Sequence, residues 1–154
     1  MAKRNQNSGD PVLATNRKAG FDYHIVERFE CGIELTGTEV KSCRERAVQL
    51  GESFARILKN QLWLINAHIS HCEFGGRFNH EIRRDRRLLM HKQEIRRLAQ
   101  TLQTKGGALI PLKLYLKNGL IKLELAYCQG KTHQDQRETI RKREADIAIR
   151  RATR

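Results

Sequence analysis

A small, mainly β fold of antiparallel strands closed into a barrel, with a few short flanking helices, is what the patterning of this chain predicts. The first observation is a hairpin. Ile110, Leu112, Leu114 and Leu116 alternate with Pro111, Lys113, Tyr115 and Lys117, Asn118-Gly119 follows, and Ile121, Leu123, Leu125 and Tyr127 alternate with Lys122, Glu124 and Ala126. Asn-Gly between two alternating runs is the signature of a two-residue type I′ turn. Second, several other short runs share the period of two, and one long segment alone has helical period. Third, 154 residues suffice for one domain with a real core but not for two.

The elements follow in order. Residues 1–15 are polar, with Asn5, Asn7, Ser8, Gly9, Asp10 and Pro11, and read as a flexible leader to a domain over 16–130. Phe21, Tyr23, Ile25 and Phe29 predict a half-buried strand. Cys31-Gly32 reads as a turn or bulge before a second strand, Ile33 to Thr36, and Thr38 to Arg44 reads as one or two helical turns. Short strands are expected at 47–50 and 54–58, a turn at Lys59-Asn60, and a strong strand from Leu62 to Ile69. Trp63 shares a face with Ile65, Ala67 and Ile69, which assigns it to the core. Arg77 to Arg86 reads as loop. From Leu88 to Leu102 the period changes: Ile95, Leu98 and Leu102 make the stripe of an amphipathic helix, stopped by Gly106-Gly107.

The hairpin fixes its own register. Leu116 faces Ile121, Leu114 faces Leu123 and Leu112 faces Leu125, while Tyr115–Lys122 and Lys113–Glu124 pair on a polar, basic face. Many short strands with a polar outer face suggest a closed barrel, of which the oligonucleotide-binding (OB) barrel is a common nucleic-acid-binding version.

Charge narrows the function. The formal net charge is +13, which points to a polyanion and to nucleic acid first. The basic N-terminus is not followed by an apolar stretch, so no secretory signal is read and a cytosolic location is expected; no run approaches the roughly twenty apolar residues of a spanning helix, so no membrane is expected either. Cys31, Cys43, Cys72 and Cys128 form no Cys-x-x-Cys pair, and His68-x-x-His71-Cys72 lacks a second ligand pair, so no metal or other cofactor is expected. Gly-x-Ser-x-Gly and a complete phosphate loop are absent, so catalysis is not expected.

Arg83, Arg84, Arg86, Arg87, Lys92, Arg96 and Arg97 lie together against only Asp85 and Glu94. A solvated face is the plain alternative, but an excess of one sign this large favours phosphate contact through arginine forks. Tyr23 and Tyr115 are placed to stack on bases or to fill the core; for Phe21 and Phe29 core filling is the better reading. Lys131 to Arg154 carries eight Lys or Arg, four Asp or Glu and no aromatic. Such a segment buries too little apolar surface to offset its ordering entropy and reads as a basic arm, disordered when free.

The chain also resembles a known family. Asn16-Arg17-Lys18-Ala19, Tyr23, Phe29-Glu30-Cys31-Gly32-Ile33-Glu34-Leu35-Thr36-Gly37-Thr38-Glu39-Val40-Lys41-Ser42, Arg86-Arg87-Leu88-Leu89-Met90, Glu94-Ile95, Pro111-Leu112-Lys113-Leu114-Tyr115, Lys122 and Gly130-Lys131 are similar to the SsrA-binding protein (small protein B) family, from about Asn16 to Arg143. The resemblance implies an OB-fold barrel and a flexible basic C-terminal tail over 131–154 that becomes helical on the ribosome. It implies binding to the tRNA-like domain of tmRNA and delivery to stalled 70S ribosomes, at the decoding centre and message channel, for rescue and tagging (trans-translation). Elongation factor Tu enters indirectly, through tmRNA.

RNA-contacting positions implied are Asn16, Arg17, Lys18, Tyr23, Glu30, Arg86, Arg87, Leu89, Lys122, Gly130 and Lys131. Asn16 and Lys122 would reach phosphate or sugar; Glu30 would accept from base amino groups or pin Arg17 or Arg28; Leu89 divides evenly between core and interface. Asp135, Arg137, Arg141, Lys142 and Arg143 are the implied ribosomal contacts of the tail. Thr132 and Gln136 stand where the family carries lysines, and Arg141, Lys142 and Arg143 restore part of that charge. The competing reading is a general basic OB-fold protein that binds RNA or the ribosome; an RNA-modifying enzyme is a distant third.

Overall fold

The computed structural model describes residues 10–73, 75–130 and 133–152. Nine strands and four α-helices follow one another in these segments. Strand β1 (Val12–Thr15) precedes the single turn α1 (Ala19–Asp22), and β2 (Tyr23–Ile33) leads into α2 (Gly37–Arg44). Then come β3 (Val48–Gln49), β4 (Phe54–Leu58), β5 (Gln61–Ile65), β6 (His68–Ile69) and β7 (Arg86–Leu89). Helix α3 (Lys92–Lys105) separates these from the hairpin of β8 (Ala108–Lys117) and β9 (Leu120–Gly130), and α4 (His133–Ala152) closes the series.

All the pairings are antiparallel, and six strands make a closed cycle: β8–β4–β5–β7–β2–β9, with β9 paired back onto β8. Strand β1 extends the β8 edge beyond β4, and β3 with β6 forms a separate small ladder. The expected hairpin is present, with Asn118 and Gly119 both at positive φ (51° and 77°), as a type I′ turn requires. Tyr115–Lys122, Lys113–Glu124, Leu114–Leu123 and Leu116–Ile121 pair as read from the sequence; a bulge between Pro111 and Lys113 puts Pro111 rather than Leu112 opposite Leu125. Lys59-Asn60 is likewise a turn with both φ positive.

The inward faces of β2, β5, β7, β8 and β9 supply Phe29, Cys31, Leu62, Leu64, Leu88, Leu114, Leu123 and Leu125, and Ile95 and Leu98 of α3 join them. Helix α2 begins in a capping box: Thr36 Oγ1 accepts from the Glu39 N–H, and the Glu39 carboxylate accepts from the Thr36 N–H. The same carboxylate takes Arg84 at 2.6 Å and the Nε of Arg86, which also donates to the Ala67 and Ile82 carbonyls. Glu39 and Arg86 are both fully buried.

Several expectations change. Residues 12–15, expected to belong to a flexible leader, form β1, because Leu13 has a core site and β8 has a free edge; residues 1–9 lie outside the described ones. Phe21 belongs to α1, and β2 continues through Cys31-Gly32 to Ile33, with its bulge between Ile25 and Glu27. Leu62 to Ile69 is two strands, broken at Asn66 with φ 64°. The core takes Leu62 and Leu64, so Trp63 stands half-buried on the other face. Leu88 and Leu89 belong to β7, and α3 starts at Lys92.

The C-terminal arm, expected to lack structure in the free chain, is helical from His133 to Ala152. Its Ala, Arg, Gln and Glu are good helix formers, and Glu138 and Lys142 have favourable i, i+4 spacing. Ile140, Ile147 and Ile149 nonetheless remain exposed, so burial contributes little to its stability. No helix is long and apolar enough to cross a membrane, among the described residues.

Candidate nucleic-acid interface

Alternation along the strands sorts the charged residues. Core residues Phe29 and Cys31 point inward, so Arg28, Glu30 and Gly32 point out. Register then aligns Leu89, Gly32, Lys122 and Tyr115 in one row across β7, β2, β9 and β8. Directly opposite residues share a face. Leu89 is 45 % exposed, so it stands outside the core. A Cβ at position 32 would lie 3.2 Å from the Leu89 Cβ, so glycine lets Leu89 lie across the strand.

The next row pairs Glu30 with Glu124 and Glu124 with Lys113. Facing carboxylates are unfavourable unless cations intervene. Here Lys113 and Arg28 approach Glu124 at 3.7 and 3.9 Å. Tyr115 Oη donates to Glu30 at 2.6 Å and Lys117 Nζ at 3.2 Å. Glu30 is thus pinned by these two side chains and not by Arg17 or Arg28, as the sequence suggested. Burial pushes its carboxyl up, but the Tyr115 and Lys117 bonds and the charges of Lys117 and Lys122 outweigh that and hold it below its ordinary value. Tyr115 is 3 % exposed, despite its place on the polar face. Burial, and then the bond to Glu30, raise its hydroxyl pKa. Lys113 Nζ lies 5.3 Å from the centroid of the Tyr115 ring. Tyr115 is therefore a scaffold for Glu30 rather than a surface on which bases stack.

The remaining candidates divide sharply. Asn16 is buried; its Nδ2 donates to the Leu50 and Pro111 carbonyls, so it joins β1 to its neighbours and does not reach phosphate. Arg86 is 0 % exposed and serves Glu39, so it leaves the RNA-contacting set. A charged residue buried this way needs all its partners, and Glu39 with the carbonyls of Ala67 and Ile82 supplies them. Its neighbour Arg87 points out beside Leu89, 4.0 Å from Glu34. Arg17 and Lys18 are exposed, Lys18 pairing with Glu52 at 3.1 Å. Tyr23 is half-buried opposite Gly130. Arg137, Arg141, Lys142 and Arg143 are exposed on α4; Lys131 and the Asp135 side chain lie outside the described residues.

Sequence reasoning missed a second outward row, in which Arg56 pairs with Trp63 and Trp63 with Arg87. Trp63 is half-buried there, with an arginine opposite it on each neighbouring strand. The period of two was visible there, but both faces of that strand are apolar in sequence and the choice of face needed the fold.

His68 and His71 line an open groove of about 500 Å³ with Glu81, Ile82 and Arg83. No group of three or more His, Cys, Asp or Glu stands ready for a metal ion among the described residues. All four cysteines are buried, and burial pushes the thiols of Cys43 and Cys128 up to about 12 and about 11, away from reactivity.

Known proteins resemble the chain over nearly its whole length. The family model described as SmpB protein matches residues 13–154. The SsrA-binding protein of Levilactobacillus brevis is 52% identical over 149 residues, covering 97% of this chain and 95% of the relative. That of Caldicellulosiruptor saccharolyticus is 54% identical over 150 residues, with the same coverage of 97% and 95%. A solved chain described under "tmRNA-SmpB: a journey to the center of the bacterial ribosome" superposes with TM-score 0.67 at 43% identity, covering 85% of this chain and 95% of that one.

Proposed function

The chain belongs to the SmpB protein family, and on that premise we propose that it binds the tRNA-like domain of tmRNA and delivers it to stalled ribosomes, where the incomplete chain is tagged and the ribosome freed. The observation that carries this reading is the row Leu89–Gly32–Lys122, with Glu30 beside it. The most family-like segments of the sequence come together on one outward face. In this reading the closed cycle of six strands is an OB-fold barrel, the type that presents an outer sheet face to RNA. Lys122 supplies charge, Leu89 an apolar contact, and Glu30 a fixed acceptor for base amino groups. The protein works in the cytoplasm, without a catalytic step.

Helix α4 acts after RNA binding. Its exposed Arg137, Arg141, Lys142 and Arg143 suit a channel lined by ribosomal phosphates, where mutual repulsion is relieved and a marginal helix is fixed. In the free chain it exchanges with disordered states. A mobility shift with labelled tRNA-like domain tests the first step. Weak competition by bulk tRNA is expected; strong competition would make this a general basic RNA binder. Removing residues 131–154 is expected to leave that shift intact and abolish tagging of stalled chains. Tagging by the truncated protein would reduce the arm to a solvated appendage.

A further inference from the structure

A cleft of about 390 Å³ opens between the β4–β5 turn, β7 and the start of α3. Its lining is unusual in sign. Lys59, Arg87, Lys92 and Arg96 surround it and no acidic residue does, while Leu62, Leu88, Leu89, Met90 and Ile95 form the apolar part. By contrast, the larger cleft near α1, about 680 Å³, sets Asp22 and Glu52 against Lys18 and Arg56. No ion pair among the described residues engages Lys59, Lys92 or Arg96, and Arg87 has only the 4.0 Å approach to the exposed Glu34.

Two backbone features hold these cations in unfavourable places. Lys92 is the first residue of α3, whose preceding His91 provides no side-chain cap. A cation at that positive end of the helix dipole is disfavoured, and an arriving anion reverses the sign of the interaction. Lys59 sits at φ 50° in the turn, a conformation few lysines adopt. The cleft is continuous with the proposed RNA-facing row, because Leu89 belongs to both, and Arg87 lies beside Leu89 on the same face of β7.

We propose that this cleft receives one unstacked nucleotide of the bound RNA, its base against Leu89 and Met90 and its flanking phosphates on Lys59, Arg87, Lys92 and Arg96. The volume falls in the range of about 300–1,000 Å³ that small-ligand sites occupy. A concave apolar floor fits a splayed base and not the convex side of a duplex; recognition of single-stranded RNA characteristically works this way. Guanidinium forks supply the phosphate contacts. The inference rests on the proposed binding of the tRNA-like domain and names where an unpaired nucleotide of it is held.

The test uses the full chain and a transcript of that domain. K92A/R96A replaces two exposed cations with a good helix former, and circular dichroism checks that the fold is kept. Its affinity is expected to fall, and its plot of log affinity against log salt to become shallower by about 1.5, since each lost phosphate contact contributes roughly 0.7 to 0.9. K41A/R44A removes the same charge from α2, outside the cleft, and is expected to change both less. A K59C variant offers a selective attachment point, because the native cysteines are buried. An iron chelate tethered there is expected to cleave the transcript at an unpaired position. Equal losses in the two double variants, unchanged binding by K92A/R96A, or cleavage confined to duplex would each overturn the inference. A wild-type protein that does not bind the transcript would instead overturn the proposed function.

Discussion

Glu39 and Glu30 are alike in chemistry and opposite in use. Each is a carboxylate held below its ordinary value by hydrogen-bonded partners that outweigh the effect of burial. Glu39 lies at the base of α2, fully enclosed, and spends itself on Arg84, Arg86 and the Thr36 N–H. Glu30 lies on the outer face of β2, held by Tyr115 and Lys117 with one side open to solvent. The same contrast separates Arg86 from Arg87, neighbours in sequence that point to opposite sides of β7. Basic character in a sequence thus reports the total charge, and the pleat decides which part of it can meet a ligand.

The comparison breaks first at Glu39. Glu39→Ala leaves Arg86 buried without its counter-ion, and a loss of about 3–5 kcal/mol is expected. Thermal unfolding should fall by roughly 10 °C, at about 2–4 °C per kcal/mol in a chain of this size. A change of only a degree or two would show that Arg86 finds water or other acceptors. Acid sharpens the point. Both carboxyls are depressed in the folded chain, so their stabilisation is complete above their ordinary value of 4.5 and is lost as pH falls through the lower folded values. Stability measured by denaturant should decline in that range, and substitution of either carboxylate should make the decline shallower.

On the exposed side the effects move from stability to binding. Glu30→Ala and Lys122→Ala are each expected to weaken binding of the tRNA-like domain about tenfold, the size of one charge-assisted contact; Lys122→Ala should change stability by no more than about 0.5 kcal/mol, whereas Glu30→Ala leaves the buried Tyr115 hydroxyl unpaired and should cost about 1 kcal/mol. Normal binding by both variants would remove the row from the interface. Tyr115→Phe deletes the hydroxyl that orients Glu30. Its expected loss in affinity is smaller than that of Glu30→Ala, with a stability cost of about 1 kcal/mol read by thermal melting. Smallest of all, separating Lys18 from Glu52 by Lys18→Ala should shift stability by less than about 0.5 kcal/mol, since both groups are well exposed.

What the sequence revealed depended on how local the signal was. The β8–β9 hairpin, the helical turns up to Arg44 and the Gly106 end of α3 are written within a few residues each and appear where expected, whereas Thr36, read as strand, proves to be the N-cap of α2. The misreadings share a non-local cause. Arg86 reads as surface because its partner Glu39 lies far away in the chain. Residues 62–65 are apolar on both faces, so Trp63 and Leu64 exchange roles until neighbouring strands choose between them. Residues 12–15 look like leader until β8 offers an edge. Glu30, Leu89 and Lys122 are singled out by family resemblance, and the structure shows that they share one outward face; the exposure of Trp63 and the cleft beside α3 needed the fold.

The closed cycle of strands also sets a clock. Tyr23 of β2 pairs with Gly130 of β9, and Leu109 of β8 must reach both β4 and β9. About a hundred residues therefore separate the synthesis of β2 from that of its partner, roughly 5–20 s at ordinary elongation rates. During that interval β2 carries an unpaired edge, and the early strands form at best an incomplete sheet. Pairing at such distance along the chain makes folding slow, on a scale of about milliseconds to seconds once all the strands exist. Variants that weaken the hairpin at Asn118-Gly119 would then act chiefly by delaying this last step, and would show their effect in yield before they show it in the melting temperature.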